Sequence, residues 1–110
     1  MDSKNDSYYI EQAIIEINYI IEYTKDLSYK ELLCDIKTID ATMFRLQQMI
    51  KKIKNISQDY KCAHSEIPWG DIVGFGNRIV HNYGKTDYTT VYEIVTKDVY
   101  QLKKLFEDSL

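Results

Sequence analysis

The chain has 110 residues, is 45% hydrophobic and 28% charged, and carries a net charge of −3. That is the make-up of one globular domain spanning 1–110, with a feasible but not deep core, and it lacks the strongly basic footprint of a general nucleic-acid binder. One proline and four glycines, with β-turn dipeptides nearly absent, point to an all-α chain.

Asp6 or Ser7 is placed to cap a first helix running to about residue 26. Ile10, Ile14, Ile17 and Ile21 recur at steps of four, three and four, and Ala13, Ile20 and Tyr23 widen that stripe. The isoleucines favour strand by propensity, but the 3.6-residue period and the length decide for helix. Ser28, with Glu31 three residues on, forms a capping box for a short helix through Leu32 and Leu33. Asp35 caps a second long helix to about residue 58, whose stripe is Ile39, Met43, Leu46, Ile50 and Ile53. Two long amphipathic helices joined by a short element pack antiparallel. Residues 59–66 are polar and read as irregular, and Pro68 opens a fourth helix. Trp69, Ile72, Val73, Ile79 and Val80 form its buried face, and Gly84 ends the element. Of its glycines, Gly74 is the one that suits a close helix contact, whereas Gly76 has no evident structural need. A fifth helix covers about 88–107, with Val91, Val95, Leu102 and Phe106 inward.

Lys51, Lys52 and Lys54, and again Lys103 and Lys104, read as solvated helix faces, with a local RNA-attracting patch as the alternative. Cys34 and Cys62 have no metal-type spacing and read as reduced, partly buried thiols of a cytoplasmic protein. The polar start from Met1 reads as no secretory leader, and no apolar run approaches the ~20 residues that cross a bilayer. Ten tyrosines fit amphipathic core-edge positions, and such enrichment also fits a protein interface.

One stretch departs from helical scaffold: Gly74-Phe75-Gly76-Asn77-Arg78-Ile79-Val80-His81-Asn82-Tyr83. It holds one of two histidines, one of two arginines and a His-x-Tyr pair just before a glycine. Read alone, His81 is a histidine at a helix C-terminus, where the dipole favours it, Asn77 is a surface polar residue and Tyr83 a core-edge tyrosine.

The stretch resembles the signature of the HEPN superfamily, and within it the HepT-like toxins. Asn77, His81 and Tyr83 match, as do the lead-in Ile67-Pro68-Trp69, the helix Asp71-Ile72-Val73-Gly74 and the exit Gly84-Lys85-Thr86-Asp87. The helical layout matches over nearly the whole chain. The resemblance implies a five-helix up-and-down bundle and a metal-independent endoribonuclease that needs no cofactor, in which the ribose 2′-OH attacks the adjacent phosphate. Histidine, with an unperturbed pKa of ~6.5, suits the proton transfers, and arginine's fork suits the charge developing on phosphate. The family's histidine falls on His81 and its arginine on Gly76, which cannot perform that role. Arg78 cannot simply replace it, since positions two apart point roughly 200° apart on a helix. Arg78 is therefore given a structural or RNA-contact role, and Asn77 is given the orientation of the phosphate or of His81. Arg45, Gln47 and Gln48 stand where the family often has an acidic residue near the cleft.

By the same resemblance Tyr83 accepts AMP from a partner minimal nucleotidyltransferase, the antitoxin, which blocks the RNA site by charge and bulk. An isologous homodimer is also expected. Three readings of Gly76 follow: a toxin of a type VII-like toxin–antitoxin pair left inactive by loss of its arginine, a non-catalytic HEPN binding module that partners a nucleotidyltransferase, or a plain helical dimerisation module. The first is preferred. It expects Gly76→Arg to bring RNA cleavage and to stabilise its helix by somewhat under ~1 kcal/mol.

Overall fold

In the computed structural model, the backbone is described for residues 3–81 and 87–110 and the side chains for residues 5–76 and 87–110. The described residues are helical, without strand: α1 (Ser3–Thr24), α2 (Tyr29–Leu33), α3 (Ile36–Lys54), α4 (Gln58–Ala63), α5 (Trp69–His81), α6 (Tyr88–Glu93), a π-helical segment (Ile94–Asp98) and α7 (Val99–Ser109). The all-α bundle is as expected.

The α1–α3 contact is the most extensive in the molecule. Asp6 meets Ser57 just beyond α3, and Glu16 meets Arg45 within it, so the partners run in opposite directions. Ile10, Ala13, Ile17 and Ile20 of α1 are buried against Met43, Leu46, Met49, Ile50 and Ile53 of α3 and the rest of one continuous core. Ile14 and Ile21 of the stripe as first drawn are only partly buried, so the core line keeps Ile10 and Ile17 and adds Ala13 and Ile20, while Tyr23 stays partly exposed. Steps of 3 and 4 alone do not fix the phase of a stripe when isoleucines occur on both of its edges.

Local signals set most boundaries. Ser28 Oγ accepts from Glu31 N–H at 3.1 Å and Glu31 Oε1 from Ser28 N–H at 3.0 Å, the expected capping box. Asp35 accepts from Thr38 N–H at 3.0 Å and Thr38 Oγ1 at 2.7 Å, which holds its carboxyl below the usual range. The lysines at the end of α3 sit where the dipole favours cations.

Three expectations are corrected. Asp6 does not cap α1, which already starts at Ser3; its buried carboxylate accepts from Ser57 N–H and Ser57 Oγ, both at 2.7 Å. Ser57 in turn accepts from Tyr60 N–H at 3.1 Å and caps α4, a helix within a stretch expected to be irregular. The polar composition of α4 hid it, because none of its residues is buried. Cys34 and Cys62 are both exposed, where partly buried thiols were expected.

α6, the π-helical segment and α7 follow one another without a break. The Thr96 hydroxyl donates to Tyr92 O at 2.7 Å, and Val99 N–H reaches back to Ile94 O. This i→i+5 widening lets Val91, Val95 and Val99, at successive steps of four, stay buried together with Leu102 and Phe106. Among the described residues, no helix is long and apolar enough to cross a membrane.

Thr42 is 1% exposed, and its Oγ1 has no hydrogen-bond partner. An unsatisfied buried hydroxyl costs about 1–3 kcal/mol, and a valine methyl fills the same space. Thr42→Val is therefore expected to stabilise the fold by about 1 kcal/mol, read as a rise in melting temperature of several degrees. An unchanged or lower melting temperature would show that the hydroxyl is satisfied in solution.

Candidate active site

α5 carries the polar motif, and the residues before it are firmly held. Pro68 O accepts from Ile72 N–H at 3.1 Å, which starts the helix, and Trp69 Nε1 donates to His64 O at 3.0 Å. The Trp69 ring lies 5.9 Å from Phe106 and 6.4 Å from Tyr60, while Lys61 Nζ stands 5.9 Å from its centroid. Tyr60 OH donates to Ser109 Oγ at 2.6 Å, tying α4 to the end of α7. On the far side of the motif, Asp87 caps α6 through Thr89 N–H, Thr90 N–H and the Thr90 hydroxyl. The Thr90 bonds, chiefly the one from its side chain, hold the Asp87 carboxyl below the ordinary aspartate range. Tyr29 reaches Thr89 Oγ1 at 3.2 Å and Tyr92 OH donates to Leu27 O at 3.1 Å, so α6 is anchored on the α1–α2 connection.

Gly76 is the best-defined motif position. It is buried, and a Cβ there would lie 2.7 Å from both Cδ1 and Cγ2 of Ile50 and 3.2 Å from its Cγ1. Real Cβ atoms do not sit that close, so any side chain at position 76 obliges the Ile50 side chain on α3 to shift. Gly70 and Gly74, by contrast, have nothing within 4 Å of their Cβ positions. The roles expected of Gly74 and Gly76 are thus reversed. Against the small gain expected of Gly76→Arg therefore stands a steric conflict with Ile50, which costs more than helix propensity returns.

Asn77, Arg78 and His81 lie on the α5 backbone, with 77 and 81 one helical turn apart. Their side chains, and those of Ile79 and Val80, lie outside the described ones, as do Tyr83 and Gly84 entirely. Arg45, read as a neighbour of the cleft, faces α1 instead. The neighbouring Tyr23 hydroxyl and the Glu16 carboxylate, to which it donates at 3.1 Å, favour its charged form, and it stacks 4.1 Å over the Tyr19 ring. Ile50 is the site residue that sequence reasoning missed; it appeared only as one member of the α3 stripe, and nothing in the sequence paired it with position 76.

Two hollows flank α5. One, of about 340 Å³, lies between α5 and the C-terminal helices; Met49, Ile72, Phe75 and Leu102 are among its walls, and its charged residues are Asp71, Glu93 and Asp98. Among the described residues that line it, these three carboxylates face no cation, which disfavours a polyanion beside them. The other is open, about 640 Å³, between α4 and α5, with Lys61 beside Gly70 and Gly74. Among the described residues, no group of three His, Cys, Asp or Glu side chains could hold a metal ion.

These elements define an all-α bundle whose polar motif occupies the end of the helix packed on α3. The ribonuclease HepT-like family matches residues 13–108, and the chain belongs to that family, within the HEPN superfamily. A protein of Thermococcus cleftensis named "Probable ribonuclease HepT" is 32% identical over 99 residues, 90% of each chain. A candidate RNase of Methanocaldococcus jannaschii is 29% identical over 108 residues, 97% of this chain and 98% of its own. One of Caldanaerobacter subterraneus is 26% identical over 102 residues, 93% of this chain and 91% of its own. No solved structure gives a significant match.

Proposed function

We propose that this protein is the toxin of a type VII-like toxin–antitoxin pair, built as a metal-independent endoribonuclease and impaired by glycine at position 76. Membership of the HepT-like ribonuclease family supports the chemistry, and the glycine at the position of the family arginine carries the impairment. His81 moves the protons of 2′-OH attack and of the leaving 5′-oxygen, Asn77 orients the phosphate or His81, and Arg78 contacts RNA. The fixed charge that should meet the developing phosphorane is missing, a loss of about 10²–10³ in rate by analogy with oxyanion-hole deletions. The protein acts as a cytoplasmic homodimer in which two motif helices are brought together. The deciding experiment is cell growth and cleavage of total RNA, with chelator present, for the parent and for a variant in which arginine is given room at position 76.

A second reading is favoured by one observation. The fit of Gly76 on Ile50 shows α3 and α5 settled around glycine, as suits a binding module that keeps a nucleotidyltransferase partner without cutting RNA. Both readings place the modification on Tyr83, two residues after His81. Incubation with the partner enzyme and ATP is expected to give an AMP adduct on Tyr83, mapped by mass spectrometry and absent from Tyr83→Phe. Among the described residues, Tyr8, Tyr19, Tyr29 and Tyr100 are the exposed competitors. Adducts confined to those four would refute the assignment.

A further inference from the structure

We infer that the outer face of the α1–α3 pair is a contact surface between copies of this chain, additional to any pairing of the motif helices. The inference goes beyond the proposed function and does not rest on it. Tyr8 is 53% exposed, Ile15 43%, Tyr19 43% and Phe44 52%. On α1, Tyr8, Ile15 and Tyr19 fall within an arc of about 40°, roughly opposite the core-facing Ala13, Ile17 and Thr24. The Arg45 guanidinium joins the two helices into one surface, 4.1 Å from the Tyr19 ring centroid and 5.5 Å from that of Phe44. Its charge is already met by Glu16 Oε1 at 3.1 Å, so it is no free docking cation.

A second copy is the occupant that fits. A fully buried aromatic covers about 150–250 Å², so four half-exposed side chains of this size offer on the order of 400 Å². That is the apolar half of the roughly 800 Å² per partner that a standard interface buries. The surrounding charges are arranged for self-pairing. Among the described residues, the exposed carboxylates beside the α1 stripe are Glu11 and Glu22, the latter 3.3 Å from Lys25 just past the end of α1, whereas α3 presents Lys37 and Lys51 around Phe44, with Asp40 against the trend. A two-fold axis through the patch lays α1 of one copy over α3 of the other, so acid meets base on both sides while the aromatic stripes interdigitate. The hollow between α5 and the C-terminal helices, lined among the described residues by three carboxylates and no base, has no such self-complementarity. The face also leaves α5 uncovered, since α5 packs on the Ile50 side of α3.

The test is the mass of the protein by sedimentation across micromolar concentrations, for the parent, Ile15→Lys and Phe44→Lys, with thermal melting as the check on folding. The parent is expected to exceed a dimer, and each variant to weaken that assembly at least tenfold while melting as a folded protein. Reversing Glu11 and Glu22 to lysine should weaken it too, and adding Lys37→Glu and Lys51→Glu should restore it, which mere loss of apolar area would not. If the variants pass from dimer to monomer, the face is confirmed and the proposed pairing of motif helices fails. If parent and folded variants share one mass and one dissociation constant, the inference is overturned and the proposed ribonuclease reading stands untouched.

Discussion

Gly76→Arg is expected to unfold more easily than the parent, by about 1–2 kcal/mol. Overpacking a tight core contact costs about 1–3 kcal/mol, and the better helix propensity of arginine returns less than about 1 kcal/mol. The conflict is with the branched side chain of Ile50, whose three outer carbons lie 2.7, 2.7 and 3.2 Å from the new Cβ. Ile50→Ala removes all three. Alone it should cost about 2–5 kcal/mol, since Ile50 is 5% exposed and leaves a cavity. Together the two changes should cost less than their sum by at least about 0.5 kcal/mol, because the arginine stem fills what the isoleucine vacates. Strict additivity in urea titrations would mean that position 76 does not face Ile50 in solution.

The same double variant tests the chemistry, which the single variant cannot do cleanly. With room for the side chain, RNA cleavage in the presence of chelator should rise about 10²–10³-fold over the parent, with arrested growth on expression. His81→Ala in that background should abolish it. A folded but inert double variant would leave the binding-module reading in place. Cleavage by the parent, stopped by His81→Ala, would show that another cation already supplies the charge.

How much of this was legible in the sequence follows from which interactions are local. The capping box at Ser28 and the cap at Asp35 involve residues three apart and were readable. So were the antiparallel pairing of α1 and α3, which follows from two amphipathic stripes and a short link, and the family, which follows from the run ending in His81-Asn82-Tyr83. The fit of Gly76 on Ile50 was not, because a glycine looks the same in sequence whether its missing side chain faces solvent, as at Gly74, or a neighbouring helix. Nor was α4, whose capping serine is itself held by a carboxylate 51 residues away.

That long-range tie should be among the most sensitive points of the fold. Asp6 is 5% exposed and Ser57 6%, so neither donor on Ser57 can turn to water if the carboxylate is removed. Each hydrogen bond to a charged group contributes about 1.5–3 kcal/mol, and each donor left buried and unpaired costs about 1–3 kcal/mol. Asp6→Ala should therefore lower the unfolding free energy by about 3 kcal/mol, a large share of the roughly 5–15 kcal/mol typical of domains. Asp6→Asn should lose less, because its carbonyl oxygen still accepts one bond while its amide faces the second donor. The damage should be felt at α4 and at the start of α5 as well as globally. Ser57 caps α4, α4 carries Tyr60 and ends at His64, and the His64 carbonyl holds the Trp69 indole at the head of the motif helix. Urea titration gives the global loss at unchanged m-value, and hydrogen exchange at residues 58–69 gives the local one. A loss under about 0.5 kcal/mol for Asp6→Ala would mean that water replaces the carboxylate and that α1 does not hold α4 and the head of α5 in place.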